Sequence, residues 1–570
     1  MFNVSTTPFS TRGSYLLLTH PIRRKLSNGS SLPPGLYLCT VRGEADARDI
    51  LRIEAITEEP VVERMTPVSL HLEAGDDRAV DIVFADPATL RIRCRGMGVR
   101  LERADWRPFD RIVQPVQDHW LLTAYLNRSQ FALRRLEGAL TVDAPWERVR
   151  CPSITIELRP DEKSGLGELS LSEYVGSWDL TEATKTPPDW ETCHETQTRA
   201  WEAWLNRQPD APADMHTARE LAAYLTQSCT VAPAGYLTRE AVLMSKFKMT
   251  NFWTWDNCFN VLGLAQSDPA LAWDQFMLAY AHQSPTGQVP ASFNNASLHW
   301  MDAKPPIHGW TLDCLLRADC AWLDDSHLRE AYAPMAAFTE WWFRFRDHDG
   351  DGLPAAFHGN DTGWDNASVF DEGPLVTSPD LSACLVIQME VLGEIARRTG
   401  RPEEAEVWKT RAKELLQRLI ARLWDEERGQ FISRMGGSDR IAPGDSLINF
   451  MPLVLGARLP EKIRTRLVAG LFREGRFLTD WGLATEAVDS PFYNAEGYWR
   501  GPIWAPPTLI LWDGLRQGGF TREAALLRER YLALCTRAGF AENSHATEGR
   551  SLRDPTYTWT SSTFLYLLAQ

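Results

Sequence analysis

Over residues 1–175, apolar positions alternate with polar ones in short runs rich in β-branched and aromatic residues. The runs Gly35–Val41, Ile50–Ile56, Val68–Leu72, Ala79–Phe84, Leu90–Cys94, Trp120–Leu126, Phe131–Leu136 and Ser153–Leu158 predict strands. Pro33-Pro34-Gly35, Gly75-Asp76-Asp77 and Gly96-Met97-Gly98 break the chain between them. Regular short strands separated by turns predict an antiparallel β-sandwich domain over 1–175. A connector over 176–212 follows, with breakers at Thr186-Pro187-Pro188 and at Pro209 and Pro212, and a linker helix over Trp190–Asn206 between them. From 213 to 570 the apolar period changes to that of helices. Thr217–Cys229, Pro269–His282, Thr311–Trp322, Leu328–Arg346, Ser378–Thr399, Pro402–Leu423, Pro460–Leu471, Pro502–Gln517 and Thr521–Ala538 each carry one apolar face. The loops between them are long and rich in Trp, Asp, Asn, Gly and Pro, which suggests a toroid of helical hairpins with its chemistry at one end.

Composition narrows the function. A chain of 570 residues is too long for one simple core. A formal charge of −15 leaves no basic face for nucleic acid or an anionic membrane. No run of about 20 apolar residues offers a membrane span, and the N-terminus does not read as an export signal. The ten cysteines lack zinc spacing and read as reduced thiols, so a cytoplasmic protein is expected. The 23 tryptophans need a use beyond core filling. Their flat faces suit the C–H sides of sugars, while carboxylates and amides suit the hydroxyls.

Five loops concentrate such residues. Gly359-Asn360-Asp361-Thr362-Gly363-Trp364-Asp365-Asn366 sets two carboxylates four apart, around a glycine and a tryptophan. A carboxyl desolvated beside Trp364 rises towards the pKa of a general acid. Trp253-Thr254-Trp255-Asp256 offers two aromatic platforms and an acceptor, or a core Trp pair with Asp256 as a helix cap. Gln288, Lys304 and His308 lie on loops whose proline pairs build an extended wall; Lys304 or His308 could reach a polar or anionic leaving group. Asp480-Trp481 to Glu486 and Tyr498-Trp499-Arg500 to Trp504 bring more aromatics and a guanidinium, which either orients a carboxylate or forms an ion pair. Ala541-Glu542-Asn543 supplies a second carboxylate far along the chain. Two carboxylates on separate loops of one funnel are what glycoside hydrolysis requires. Asp347, Asp349 and Asp351 match the first half of a calcium loop, with His358 where its closing Glu should stand.

In this order the loops resemble glycoside hydrolase family 63, over residues 215–570. The most specific parts are Gly363-Trp364-Asp365-Asn366 and Gly497-Tyr498-Trp499-Arg500-Gly501-Pro502-Ile503-Trp504. The stretch Asp361 to Asp365 is also similar to the trehalase signature. The family often has Ser before Gly-Trp-Asp and an aromatic after the base's Asn; here Thr362 and Ser544 stand there. The resemblance implies an (α/α)6 barrel and inverting, exo-acting hydrolysis of an α-glycosidic bond, with Asp365 as general acid and Glu542 as general base. Substrate contacts are expected from Trp253, Trp255, Asp256, Gln288, Lys304, Gly363, Trp364, Trp481, Glu486, Tyr498, Trp499, Arg500 and Trp504. No cofactor is required, and a structural calcium at Asp347, Asp349 and Asp351 is the one candidate metal. The expected substrate is a small oligosaccharide or glucoside. Mannosylglycerate or glucosylglycerate hydrolysis, a trehalase-type or phosphorolytic enzyme, and a carbohydrate-binding protein without turnover are the alternatives.

Overall fold

The computed structural model describes residues 1–21, 31–43, 49–103, 107–175 and 187–570. The first part of the expected connector, 176–186, lies outside them. By contact density the chain forms two units. Unit 1 comprises Met1–Asn206, Tyr224–Thr250 and Asn294–Ser297; unit 2 comprises Arg207–Ala223, Asn251–Phe293 and Leu298–Gln570.

The two large sheets of unit 1 are built from β1 (Leu16–Thr19), β2 (Leu36–Thr40), β3 (Asp49–Ile56), β4 (Val62–Met65), β5 (Ser69–Ala74), β6 (Arg78–Asp86), β7 (Thr89–Arg95), β8 (Gly98–Glu102), β9 (Arg111–Val116), β10 (His119–Ala124), β11 (Ser129–Glu137), β12 (Ala139–Asp143), β13 (Thr155–Arg159) and β14 (Leu166–Tyr174). They make a six-stranded sheet, β1-β2-β3-β8-β13-β12, and an eight-stranded sheet, β4-β5-β6-β7-β14-β11-β10-β9. All eight expected strands are present. Of those missed, β12 is an edge strand exposed or half-exposed along its whole length, so it shows no apolar rhythm. β8 begins at Gly98, inside the stretch read as a breaker, because Gly96 at φ 63° turns the chain tightly from one sheet into the other.

Lys246 of unit 1 is fully buried. Its Nζ donates to Ser10 Oγ at 3.0 Å and to the Ser14 carbonyl at 2.5 Å. Burial lowers its pKa to about 7. The unfolded chain therefore binds more protons than the folded one between about pH 7 and the ordinary lysine range, so this group makes stability rise with pH across that window. One proton is linked to about 1.4 kcal/mol per pH unit. Between pH 7 and 9 the wild type should gain about 2 kcal/mol relative to Lys246→Met, read from urea unfolding of both proteins. Equal pH slopes would refute this.

The helices are α1 (Trp190–Leu205), α2 (His216–Ser228), α3 (Asn257–Leu264), α4 (Pro269–Leu278), α5 (His308–Arg317), α6 (Asp325–Arg346), α7 (Pro379–Arg398), α8 (Pro402–Leu423), α9 (Glu461–Leu471), α10 (Ala505–Gln517), α11 (Thr521–Ala538) and α12 (Thr558–Leu568), with a kinked 3₁₀ segment at Leu447–Arg458. Within unit 2 a closed ring runs α3, α5, α7, the 3₁₀ segment, α10, α12 and back to α3. Outside it, α4 packs on α3, α6 and α8 on α7, α9 on the 3₁₀ segment and α11 on α10 and α12. This is the (α/α)6 arrangement, and with the β-sheets of unit 1 the expected fold class holds. Three ring members had no amphipathic signature: α3, α12 and Leu447–Arg458 are buried along almost their whole length. Elements buried on every side carry no polar stripe. Among the described residues no helix is long and apolar enough to cross a membrane. None of the ten cysteines is in a disulfide, and Cys320 alone of them is not buried.

Candidate active site

Residues at the starts of α3, α10 and α12 meet: Asp256 with Tyr557, and Trp504 with Trp559. Asp256 stands immediately before α3, yet its side chain caps nothing. Its Oδ1 accepts from the Tyr557 hydroxyl at 3.3 Å, just before α12, and its Oδ2 is buried without a partner. Burial pushes its pKa up to about 7, against the pull of Lys304. The helix-cap alternative for Asp256 is therefore excluded, and its carboxyl is left for the pocket.

The Gly359 loop is a single helical turn, Gly359–Thr362, closed by Gly363 at φ 75°. A Cβ on Gly363 would lie 2.3 Å from the Trp255 ring, so glycine is required there for space as well as for backbone conformation. The two carboxylates of this loop divide their work. Asp361 is buried and accepts from the Ala303 amide at 2.7 Å, the Phe357 amide at 2.8 Å and Arg346 Nη1 at 2.9 Å. It pins the loop. The carboxyl of Asp365 is held above its ordinary pKa by burial, with Lys304 lowering it and Asp302 raising it. Lys304 itself donates to the Asn360 carbonyl at 2.7 Å.

Glu542 is 4% exposed. Its Oε1 accepts from the Tyr498 hydroxyl at 2.8 Å and its Oε2 from the Asp554 amide at 3.4 Å. Tyr498 adopts φ 67°, an uncommon backbone state for an aromatic residue, in the Gly497–Gly501 turn. Its hydroxyl pKa is driven far up, first by burial and then by Glu542, Asp365 and Asp256. Three carboxylates from three loops thus act on one hydroxyl group. The acid loop is sewn to the Tyr498 turn through Asn366. Its Oδ1 accepts from the Trp499 amide at 2.9 Å, its Nδ2 donates to the Gly497 carbonyl at 2.9 Å, and its own carbonyl accepts from Arg500 Nε at 2.8 Å.

The aromatics back this pocket. Trp499 stacks on Trp504 at 4.0 Å and 8°, Trp364 lies 4.8 Å from Trp499, and Trp559 sits 5.7 Å from Trp255 and 5.6 Å from Trp504. Trp364, Trp499 and Trp504 are nearly fully buried, so they hold the wall rather than stand out as platforms. Trp253 and Gln288 are half-buried; Gln288 Nε2 donates to the Trp300 carbonyl at 3.3 Å.

Other expected site residues do not join the pocket. Glu486 is completely buried and accepts from Ser368 Oγ and Ser490 Oγ at 2.6 Å and from the Asp445 amide at 2.7 Å, which engages both of its oxygens. Trp481 packs against Ala484, Ile503, Leu534 and Ala546. Arg500 forms an ion pair with Asp371, the second of its two expected roles, and so clamps the acid loop. His308 is enclosed by Tyr280, Phe276 and Phe338; burial pushes its pKa down to about 3 and both ring nitrogens lack partners, so it reaches no leaving group. Sequence reasoning gave no role to Tyr557, Trp559 or Asp302. The alternation Tyr557-Thr558-Trp559 before a buried helix was the available signal for the first two.

The ligand atoms of Asp347, Asp349 and Asp351 lie within 4.8 Å of one another and could hold a cation. Asp347 Oδ1 is buried without a hydrogen-bond partner, while Asp351 lies 3.6 Å from Arg422. His358 does not close the loop: its Nδ1 accepts from the Asn360 amide at 3.1 Å and caps the Gly359 turn.

A family profile described as "Mannosylglycerate hydrolase MGH1-like glycoside hydrolase domain" matches residues 249–560. The chain belongs to this glycoside hydrolase family. The match spans every loop of the pocket, and the resemblance to family 63 holds. A mannosylglycerate hydrolase of Rubrobacter radiotolerans is 24% identical over 402 residues, 55% of this chain and 89% of that protein. A crystal structure of the family 63 mannosylglycerate hydrolase from Thermus thermophilus, in complex with Tris and D-glycerate, is 22% identical with a TM-score of 0.52. It covers 62% of this chain and 99% of that one. A bacterial glucoamylase complexed with acarbose is 12% identical, covers 99% of this chain and 93% of that one, and has a TM-score of 0.62. These two structures show the shared fold. The family membership makes the chain a glycoside hydrolase.

Proposed function

We propose that this hydrolase inverts an α-glycosidic bond at the non-reducing end of a small glycoside, with Asp365 as general acid and Glu542 as general base. The observation that carries this is the Tyr498 hydroxyl, which donates to Glu542 and feels the charge of Asp365 within one pocket. Asp365 donates its proton to the glycosidic oxygen as the bond to the anomeric carbon breaks. Glu542 takes a proton from the water that attacks the opposite face. Inversion needs room for that water, about 6.5–9.5 Å between the two carboxyls. Burial raises the pKa of Asp365, which favours the protonated form that an acid needs. Asp256, Gln288 and Lys304 bind the substrate, and the tryptophans keep the pocket dry.

The substrate class we infer is an α-glycoside with an anionic aglycone of the glycerate kind, in preference to a plain α-glucoside. Lys304 supplies a cation beside the acid, and the relatives of this family are named for mannosylglycerate. Lys304→Met tests both parts of this. Wild type should turn over mannosyl- or glucosylglycerate faster than maltose or trehalose, and the variant should lose that preference. Because the ammonium holds the acid's pKa down, removing it lets Asp365 keep its proton to higher pH. The alkaline limb of kcat should then move to higher pH. A wild type that prefers neutral disaccharides, with Lys304→Met unchanged, would leave the α-glucosidase reading in its place.

A further inference from the structure

The geometry points to a second binding site, on unit 1, for a neutral hydroxyl-rich ligand such as a mono- or disaccharide. It is a cleft of about 640 Å³ between α1 and the outer face of the eight-stranded sheet, lined by His71, Asp81, Arg93, Arg95, Trp190 and Glu195 among others. That volume lies within the range of small-molecule sites.

The floor is built in register. His71 of β5 pairs with Asp81 of β6, Asp81 with Arg93 of β7, and Arg93 with Glu168 of β14. Imidazole, carboxylate and guanidinium therefore line the cleft in one straight row across three strands, and Glu168, outside the lining, continues the row beneath Arg93. Adjacent members stand about 5 Å apart, the cross-strand spacing. One row further along, Glu73 and Arg95 flank Ala79, whose small side chain leaves the hollow.

This floor is costly if it only supports the fold. Asp81 and Glu168 are 7% and 6% exposed, and the neighbouring Arg91, which pairs with Glu168, is 4% exposed. Apolar residues of similar volume would hold a sheet face at least as well as buried ion pairs. The groups are also fixed before any ligand arrives. His71 Nδ1 lies 2.7 Å from Asp81 Oδ1 and its Nε2 2.8 Å from Ser69 Oγ. Arg93 Nη1 donates to Glu191 at 2.9 Å, with its guanidinium 4.7 Å from the Trp190 ring centre. Arg95 Nη2 lies 3.3 Å from Asp81 Oδ2.

The charge pattern selects the ligand. Glu73, Asp81, Glu191 and Glu195 outnumber Arg93 and Arg95 around the cleft, so an anion meets net repulsion. The floor carboxylates already have cationic or imidazole partners, so a polycation gains little there. A saccharide fits, because donors and acceptors alternate across the floor at about the width of a sugar ring, and Glu195 and the His194 ring on α1 have no partner among the described residues. The site is independent of the hydrolytic pocket.

The test is local. His194 is half-buried, so its modification by diethyl pyrocarbonate can be followed by peptide mass in the full-length protein. A sulfur-linked maltose analogue, which resists hydrolysis, should slow that modification several-fold in wild type and not in the Arg95→Met/Glu195→Gln double variant. The double variant should keep the wild-type hydrolysis rate, which separates this site from the proposed catalytic pocket. Unchanged modification of wild type at saturating sugar would overturn the proposal. So would protection by sulfate or spermidine in place of the sugar.

Discussion

Asp365→Asn is expected to lower kcat about 10²–10⁴-fold while leaving the unfolding temperature unchanged. The amide fills the same space but cannot deliver a proton to the leaving oxygen. Nothing in the fold depends on the charge of this residue, because the loop is pinned by Asp361, through Ala303, Phe357 and Arg346, and by Asn366. The loss should shrink for glycosides with good leaving groups, such as aryl glycosides or glycosyl fluorides, because these need little protonation. An equal loss on poor and good leaving groups would remove Asp365 from the acid's role. Asp361→Asn is the informative contrast: it strips a buried acceptor from a salt bridge with Arg346 and should lower stability first.

Glu542→Gln should cost a comparable factor, about 10²–10⁴-fold, with the opposite substrate dependence. The base activates water, so a better leaving group does not rescue its loss. A small external nucleophile such as azide, which needs no deprotonation, should restore product formation in Glu542→Gln and leave Asp365→Asn unaffected on poor leaving groups. Tyr498 donates to Oε1 and can still do so to the amide oxygen of Gln, so the variant should fold and bind. If Glu542→Gln hydrolysed at the wild-type rate, the base would have to be another group, and Asp256, with a pKa near 7, would be the first to examine.

Alternation along β5 and the one-sided apolar faces of α6 and α8 were legible in the sequence, because those elements are buried on one side. The ring members α3 and α12 were not, since burial on all sides erases the period that betrays a helix. At the site, the loops could be found by their residue types, but the roles within them could not. Asp361 and Asp365 look equivalent in a string of letters; only the folded turn gives one of them three donors. Trp481 and Glu486 sit in a loop as rich in signal as any other, yet one packs into a small apolar cluster and the other is enclosed. Long-range partners separated these cases, and a linear motif does not carry them.

The most direct measurement is the anomeric form of the sugar first released from an α-glycoside, followed by proton NMR before mutarotation. Water delivered by Glu542 to the face opposite the departing group must give the β-anomer first. Release of the α-anomer would mean that the two carboxylates do not work from opposite sides of the bond, and would contradict the assignment of Asp365 and Glu542 as an inverting pair.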